Sequence, residues 1–114
     1  MFVRIVHHWC KPGQVQAGRE FMDSVGRSTA AAPGFVYRYR LEDRGDPNLL
    51  TTMTVWRDAD AFAAFQAGRK PSDHADPSNP FERVSTQLFD VTGIAGDPGK
   101  AVPWSGSSPD PSKK

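Results

Sequence analysis

The order in which two hydrophobic periodicities alternate constrains the fold of this chain more than any other feature. Four segments alternate their side chains with the period of two typical of strands. Two others repeat apolar residues every three or four positions, as amphipathic helices do. Along the chain they follow the order strand, helix, strand, strand, helix, strand. This order predicts an α+β, ferredoxin-like β-α-β-β-α-β domain, with both helices on one face of a four-stranded antiparallel sheet.

Turn and capping signals set the predicted bounds. We predict strands at 2–9, 35–41, 49–56 and 85–91, a first helix that begins near residue 14 and a second at 59–67. Pro33-Gly34 stops the first helix, and Asp58 is the expected N-cap of the second. The polar link 42–48 predicts a hairpin between the second and third strands. Residues 69–80 read as a loop, and 79–84 as one further helical turn.

The first strand carries bulky apolar residues on both faces. Phe2 and Val6 lie on one face, and Val3, Ile5 and Trp9 lie on the other. A monomer would leave one of these faces exposed to water, which monomeric proteins avoid. We therefore expect two sheets to pack face to face in a homodimer.

Composition excludes several classes of function. The chain has 114 residues, enough for one domain, and its 14 basic and 13 acidic residues give a net charge of +1. This balance provides no field for a nucleic acid or a membrane surface. Cys10 is the single cysteine, which excludes an intrachain disulfide, and no apolar run is long enough to span a membrane. A cytoplasmic location is the default expectation.

The composition changes near the C-terminus. Residues 1–94 form the predicted folded domain, whereas 95–114 are rich in glycine, proline, serine and charged residues. Such a tail cannot form a packed core. It is either an unstructured tail or a strap that lays Trp104 on a partner subunit.

Several local motifs resemble the antibiotic biosynthesis monooxygenase family, whose members are dimeric α+β barrels. They are Pro33-Gly34-Phe35 at the start of the second strand, Thr54-Val55-Trp56 at the end of the third, and the run from Trp56 to Phe65 into the second helix. The resemblance spans about residues 2–94. It implies a monooxygenase that uses no flavin or nicotinamide and acts on a small aromatic or tetrapyrrole substrate.

Within that family, the chain is most similar to the haem-degrading branch. The resemblance places His74 at that branch's axial histidine, Phe65 at its helix-two tryptophan and His7 at its strand-one asparagine. His74 would then be the catalytic histidine and the ligand of a haem iron, with haem as both substrate and cofactor. Otherwise no cofactor is expected.

The residues themselves allow two interpretations of each histidine. An imidazole can move a proton near neutral pH, so His74 and His7 are the candidate catalytic residues; alternatively, His74 is a solvated loop residue. His7 and His8 are adjacent on a strand and therefore point to opposite faces. The sequence leaves open which of the two faces the helices.

Five apolar side chains could line a cavity between the helices and the sheet, or simply fill the core. These candidate substrate-binding residues are Phe65, Trp56, Phe62, Met22 and Phe21. A cavity lined in this way would suit a flat, largely apolar ligand. Arg38 and Arg40 share one face of the second strand. We interpret them as residues that form salt bridges across the dimer or face solvent at the sheet edge, rather than as substrate-binding residues.

Two classes of function follow. The first is a monooxygenase that holds an electron-rich aromatic or haem-like molecule in a dry cavity. The second is a non-catalytic dimeric module of the same fold that binds a small molecule or only associates, because fold alone does not specify chemistry.

Overall fold

A computed structural model describes residues 1–96 of the chain. Its six elements have the predicted order: β1 (Phe2–Cys10), α1 (Val15–Ala30), β2 (Phe35–Glu42), β3 (Leu49–Trp56), α2 (Ala59–Ala67) and β4 (Phe81–Asp90). The strands form one antiparallel sheet in the order β2-β3-β1-β4. The predicted α+β, ferredoxin-like architecture is therefore confirmed.

Helix α1 packs on the sheet through one face, and α2 begins at a capped residue. In α1 the buried residues include Gly18, Met22 and Thr29, which form one stripe along the helix. Met22 joins the buried cluster that also contains Cys10, Leu50 and Phe81. In α2 the Asp58 carboxylate accepts the backbone N–H of Ala61 at 2.8 Å, which confirms the predicted N-cap.

The strand register divides the sheet into a helix face and an open face. Even-numbered residues of β1 and β3 point towards the helices, as shown by Phe2, which stacks on Phe62 of α2 at 5.3 Å between ring centroids. Odd-numbered residues form the open face. Several large side chains there are half-buried or exposed: Val3, Ile5, Trp9, Tyr37, Tyr39, Leu41, Leu49, Met53 and Phe89.

The start of β4 differs from the prediction. Residues 79–84 do not form a helical turn, because the strand begins at Phe81 and pairs with Cys10. The Asn79 side chain accepts the backbone N–H of Phe81 at 2.9 Å, which ends the preceding loop. Residues from 97 onwards, including most of the predicted tail 95–114 and the predicted strap at Trp104, lie outside the described residues.

Neither helix in the described part of the chain is both long enough and apolar enough to cross a membrane.

Candidate active site

One row of paired residues brings two arginines to the helix face of the sheet. Arg38 on β2 pairs with Thr54 on β3, and Thr54 pairs in turn with Arg4 on β1. Arg38 is 5% exposed and lies within 3.4 Å of the Thr54 hydroxyl. Antiparallel pairing thus places two guanidinium groups, 34 positions apart in the sequence, on the same face of the sheet.

A cavity of about 150 Å³ lies above this face, between α1 and the segment that follows α2. Its floor is formed by strand residues, including Arg4, Val6 and His8 of β1. One wall comes from α1, and another from residues 69–72 and the first half of β4. The apolar part of the lining consists of Val6, Phe21, Met22, Val25, Pro71, Phe81 and Val84.

His8 is the histidine that faces this cavity. Its ring lies 4.7 Å from the ring of Phe81, and no group of the described residues forms a hydrogen bond with its Nδ1 atom. Burial lowers the pKa of His8 to about 4, and the charges of Arg38 and Arg4 act in the same direction. The imidazole is therefore neutral at physiological pH, and its Nδ1 atom is buried without a partner among the described residues.

His7 lies on the open face, because neighbouring strand residues point to opposite sides. Its Nδ1 atom is 2.9 Å from the hydroxyl of Thr51, and its ring is 6.1 Å from that of Trp9. The structure therefore does not bring His7 together with the cavity or with His74, contrary to the expectation of one site beneath the helices.

His74 lies in the segment between α2 and β4, half-buried, and does not line the cavity. Its Nδ1 atom is 3.1 Å from the carbonyl oxygen of Phe81, the first residue of β4. This contact holds the segment against the start of β4. Ser72, two residues before His74, does line the cavity. The catalytic role of His74 stays a prediction.

The predicted aromatic lining divides into two groups. Phe21 and Met22 line the cavity. Trp56, Phe62 and Phe65 instead pack on one another beneath α2, with ring centroids 6.0 Å and 5.1 Å from Trp56. Only about 10 Å³ of space remains between these rings and the residues of the sheet beneath them. Trp56, Phe62 and Phe65 therefore do not line the cavity above the sheet, although Phe65 also borders an open pocket of about 530 Å³ on the outer side of α2.

Arg38 and Arg40 both point towards the helices, because their β3 partners Thr54 and Thr52 lie on that face. Arg40 forms an ion pair with Asp23 of α1 at 2.6 Å. The expectation that these arginines bridge the dimer or face solvent at the sheet edge is therefore wrong, because both side chains are shielded from solvent although β2 is an edge strand. They belong to the layer between α1 and the sheet.

Sequence reasoning left open whether His7 or His8 faces the cavity, and it missed Arg4 and Arg69 as cavity residues. The alternation on β1 already placed His8 with Phe2 and Val6, whose burial beneath the helices would have identified the cavity side. Arg4 could have been found by the same alternation. No sequence signal placed Arg69, because its position depends on how the segment after α2 folds back.

The fold and the cavity define a class of protein: a ferredoxin-like domain with a small cavity, lined by aromatic and cationic side chains, between its helices and its sheet. The sequence model for "Antibiotic biosynthesis monooxygenase" matches residues 1–74, about two thirds of the chain. The chain belongs to this family. Among curated protein sequences none matches.

Solved structures show the same fold at low sequence identity. A variant of SnoaB from Streptomyces nogalater, described as a cofactor-independent oxygenase, is 21% identical, with a TM-score of 0.66 over 84% of this chain and 97% of SnoaB. The haem degrader MhuD from Mycobacterium tuberculosis, with two haems in its active site, is 18% identical, with a TM-score of 0.64 over 84% of this chain and all of MhuD.

Haem does not fit the arrangement seen here. The cavity volume of about 150 Å³ is that of a site for a single small ring, and pockets for larger ligands begin at about 300 Å³. The predicted axial ligand His74 lies outside the lining, and the aromatic cluster beneath α2 is closed. The described residues also contain no cluster of three or more histidine, cysteine, aspartate or glutamate residues suited to a metal ion.

Proposed function

We propose that this protein is a cofactor-independent monooxygenase that oxidises a small, electron-rich aromatic substrate in the cavity between α1 and the sheet. The observation that carries the proposal is the position of His8. A half-buried, neutral imidazole whose Nδ1 atom has no partner among the described residues lies on the floor of a cavity lined by apolar and cationic side chains. A relative of the same fold, SnoaB, is a cofactor-independent oxygenase.

His8 would act as the proton acceptor. When an acidic C–H or O–H group of the substrate lies against the imidazole, proton transfer leaves an electron-rich carbanion or enolate. Arg4 and Arg38 lie on the same floor, and their positive charges stabilise the anion as it forms. The side chains of Phe21, Met22 and Phe81 shield one side of the reacting ring from water.

The net reaction needs no external reductant. For a substrate with an activated ring methylene, two C–H bonds break, and one oxygen atom of O₂ becomes a carbonyl oxygen on the same carbon. The other oxygen atom leaves as water and takes both hydrogens. The carbon loses four electrons, and O₂ gains four. The protein therefore has to supply only a proton acceptor, a positively charged environment and a dry cavity.

We also propose that the protein acts as a homodimer joined through the open faces of two sheets. These faces carry large apolar side chains that helices do not cover, among them Ile5, Met53 and Phe89. His7 would then lie at the dimer interface, where its hydrogen bond with Thr51 satisfies a buried polar group.

Oxygen uptake with an anthrone tests the proposed activity. We expect His8→Gln to reduce the rate of enzyme-dependent uptake about a hundredfold, the usual contribution of a positioned proton acceptor. Mass spectrometry of the product after reaction under ¹⁸O₂ should show one labelled oxygen atom.

Comparison with the variant His7→Gln shows on which face of β1 the proton transfer occurs. If His7→Gln abolishes uptake while His8→Gln retains it, proton transfer does not occur in the cavity, and the proposal is wrong. If no electron-rich aromatic compound supports uptake but the purified protein binds one, the non-catalytic alternative stands.

A further inference from the structure

The charge in the cavity is strongly unbalanced. Four cationic side chains line it, namely Arg4, Arg38, Arg69 and Lys70, and no aspartate or glutamate of the described residues does. The carboxylate that acts on Arg38 from outside the lining is Asp23, which forms a 2.6 Å ion pair with Arg40. Asp23 thus acts on both Arg38 and Arg40, while the lining of the cavity itself carries only positively charged side chains among the described residues.

The two arginines on the cavity floor are also poorly hydrated. Arg38 is 5% exposed, and burial lowers its pKa to about 10, with the charges of Arg4 and Arg69 acting in the same direction. Burial likewise lowers the pKa of Arg4, and no group of the described residues forms a hydrogen bond with its Nε atom. Cations held close together and away from water are costly unless an anion joins them.

The remaining wall is suited to a ring. Phe21, Met22, Val25 and Phe81 present aromatic and aliphatic surface to the cavity. The rings of Phe21 and Phe81 meet edge to face at 5.5 Å between centroids, an arrangement that holds Phe81 in place at the boundary of the cavity. A cavity of this volume, about 150 Å³, accommodates a benzene ring.

We propose that this cavity selects an aromatic carboxylate, with the ring against Phe81 and Met22 and the carboxylate between the guanidinium groups of Arg38 and Arg4. Guanidinium groups bind carboxylates through paired, charge-assisted hydrogen bonds, which neutral ligands cannot reproduce. The inference extends the proposed function, on which it rests, by specifying that the substrate is an aromatic acid. The binding itself can be tested without turnover.

Matched pairs of probes separate the contribution of the carboxylate charge to binding from that of the aromatic ring. Protein-observed NMR titration should give a dissociation constant for benzoate at least about tenfold lower than for benzamide, since one charge-assisted contact contributes that much. Benzoate should also bind at least about tenfold more tightly than acetate or inorganic phosphate, because neither of these anions has a ring to pack against the apolar wall.

Two variants and a control identify the site. Arg38→Gln should remove the preference for benzoate over benzamide. Arg38 is buried, and its loss could unfold the protein. Arg69→Gln therefore provides a second test at an exposed residue of the lining. In this variant we expect the preference for benzoate over benzamide to fall severalfold. Arg44→Gln removes the same charge from the exposed turn between β2 and β3 and should leave both constants unchanged.

Equal affinity for benzoate and benzamide would overturn the proposal, and so would acetate binding as tightly as benzoate. Oxygen uptake separates this proposal from the proposed function. Charge-selective benzoate binding without uptake by any aromatic compound would leave the carboxylate site standing and refute the oxygenase. Uptake with equal kcat/KM for an anthrone and its carboxylated analogue would support the oxygenase and refute the carboxylate site.

Discussion

His8 shows how a single residue couples the cavity to the stability of the fold. Burial lowers its pKa from 6.5 to about 4 in the folded protein. The unfolded chain therefore binds a proton at a higher pH than the folded chain does. As a result, the free energy of unfolding decreases when the pH falls from about 6.5 towards 4, and this contribution is constant above and below that window.

We expect this loss to be roughly 2–3 kcal/mol, measured by urea unfolding at successive pH values. In His8→Gln the decrease between pH 6.5 and 4 should largely disappear. His7→Gln is the matched control, because it removes the neighbouring histidine from the open face and leaves His8 in place. An unchanged pH dependence in His8→Gln would show that His8 is not desolvated.

The sequence identified only part of the residues that line the cavity. It offered Phe21 and Met22 as possible cavity residues, which do line it, and left open which of His7 and His8 faces the helices. It could not indicate that Arg4 and Arg38 would share one row, because strand register depends on pairing between distant segments. Alternation along a strand predicts which face of the sheet a residue lies on. It does not predict which residues of the adjacent strands lie beside it on that face.

At the scale of secondary-structure elements, Gly34 controls how β2 leaves α1 and passes α2. Its φ angle is +84°, and its carbonyl accepts the backbone N–H of Arg57 at 2.7 Å. A Cβ at this position would overlap the Cβ of Ala61 in α2. The Pro33-Gly34-Phe35 motif thus has a physical basis: only glycine permits both the backbone conformation and the close approach of α2.

We expect Gly34→Ala to lower the free energy of unfolding by roughly 2–4 kcal/mol, from the left-handed backbone conformation together with the overlap with Ala61. Thermal and urea unfolding measure this change. Gly13→Ala is the matched control, because Gly13 has a similar φ of +75° but no atom near the added Cβ. It should cost only about 1–2 kcal/mol. Equal losses in the two variants would contradict a role for the contact with α2.

The elements themselves were predictable because each has a clear period and a clear stop signal. The bounds of β3 and α2 agree with the prediction, and β1 is one residue longer. The start of β4 was wrong, since Pro80-Phe81-Glu82 has the composition of a helical turn. The pairing of Phe81 with Cys10 overrides that local preference.

At the scale of the whole molecule, the open face of the sheet is the surface that residues 1–96 leave without cover. Ile5 lies near its centre, paired with Met53 on one side and Gln87 on the other. If two copies pack through this face, a charge at Ile5 would be buried without a partner at the interface, which is costly. The same charge on the helix side of the edge strand would stay in water.

We therefore expect Ile5→Glu to weaken dimerisation by about a hundredfold or more, so that light scattering coupled to size-exclusion chromatography gives the monomer mass at micromolar concentration. Leu88→Glu is the matched control. Leu88 is 54% exposed, and its pairing with Arg4 places it on the helix side of β4. It should leave the dimer intact, since the substitution adds the same charge outside the open face. A native protein that already elutes as a monomer, or an Ile5→Glu variant that stays dimeric, would show that the open face is not the interface, whatever the cavity binds.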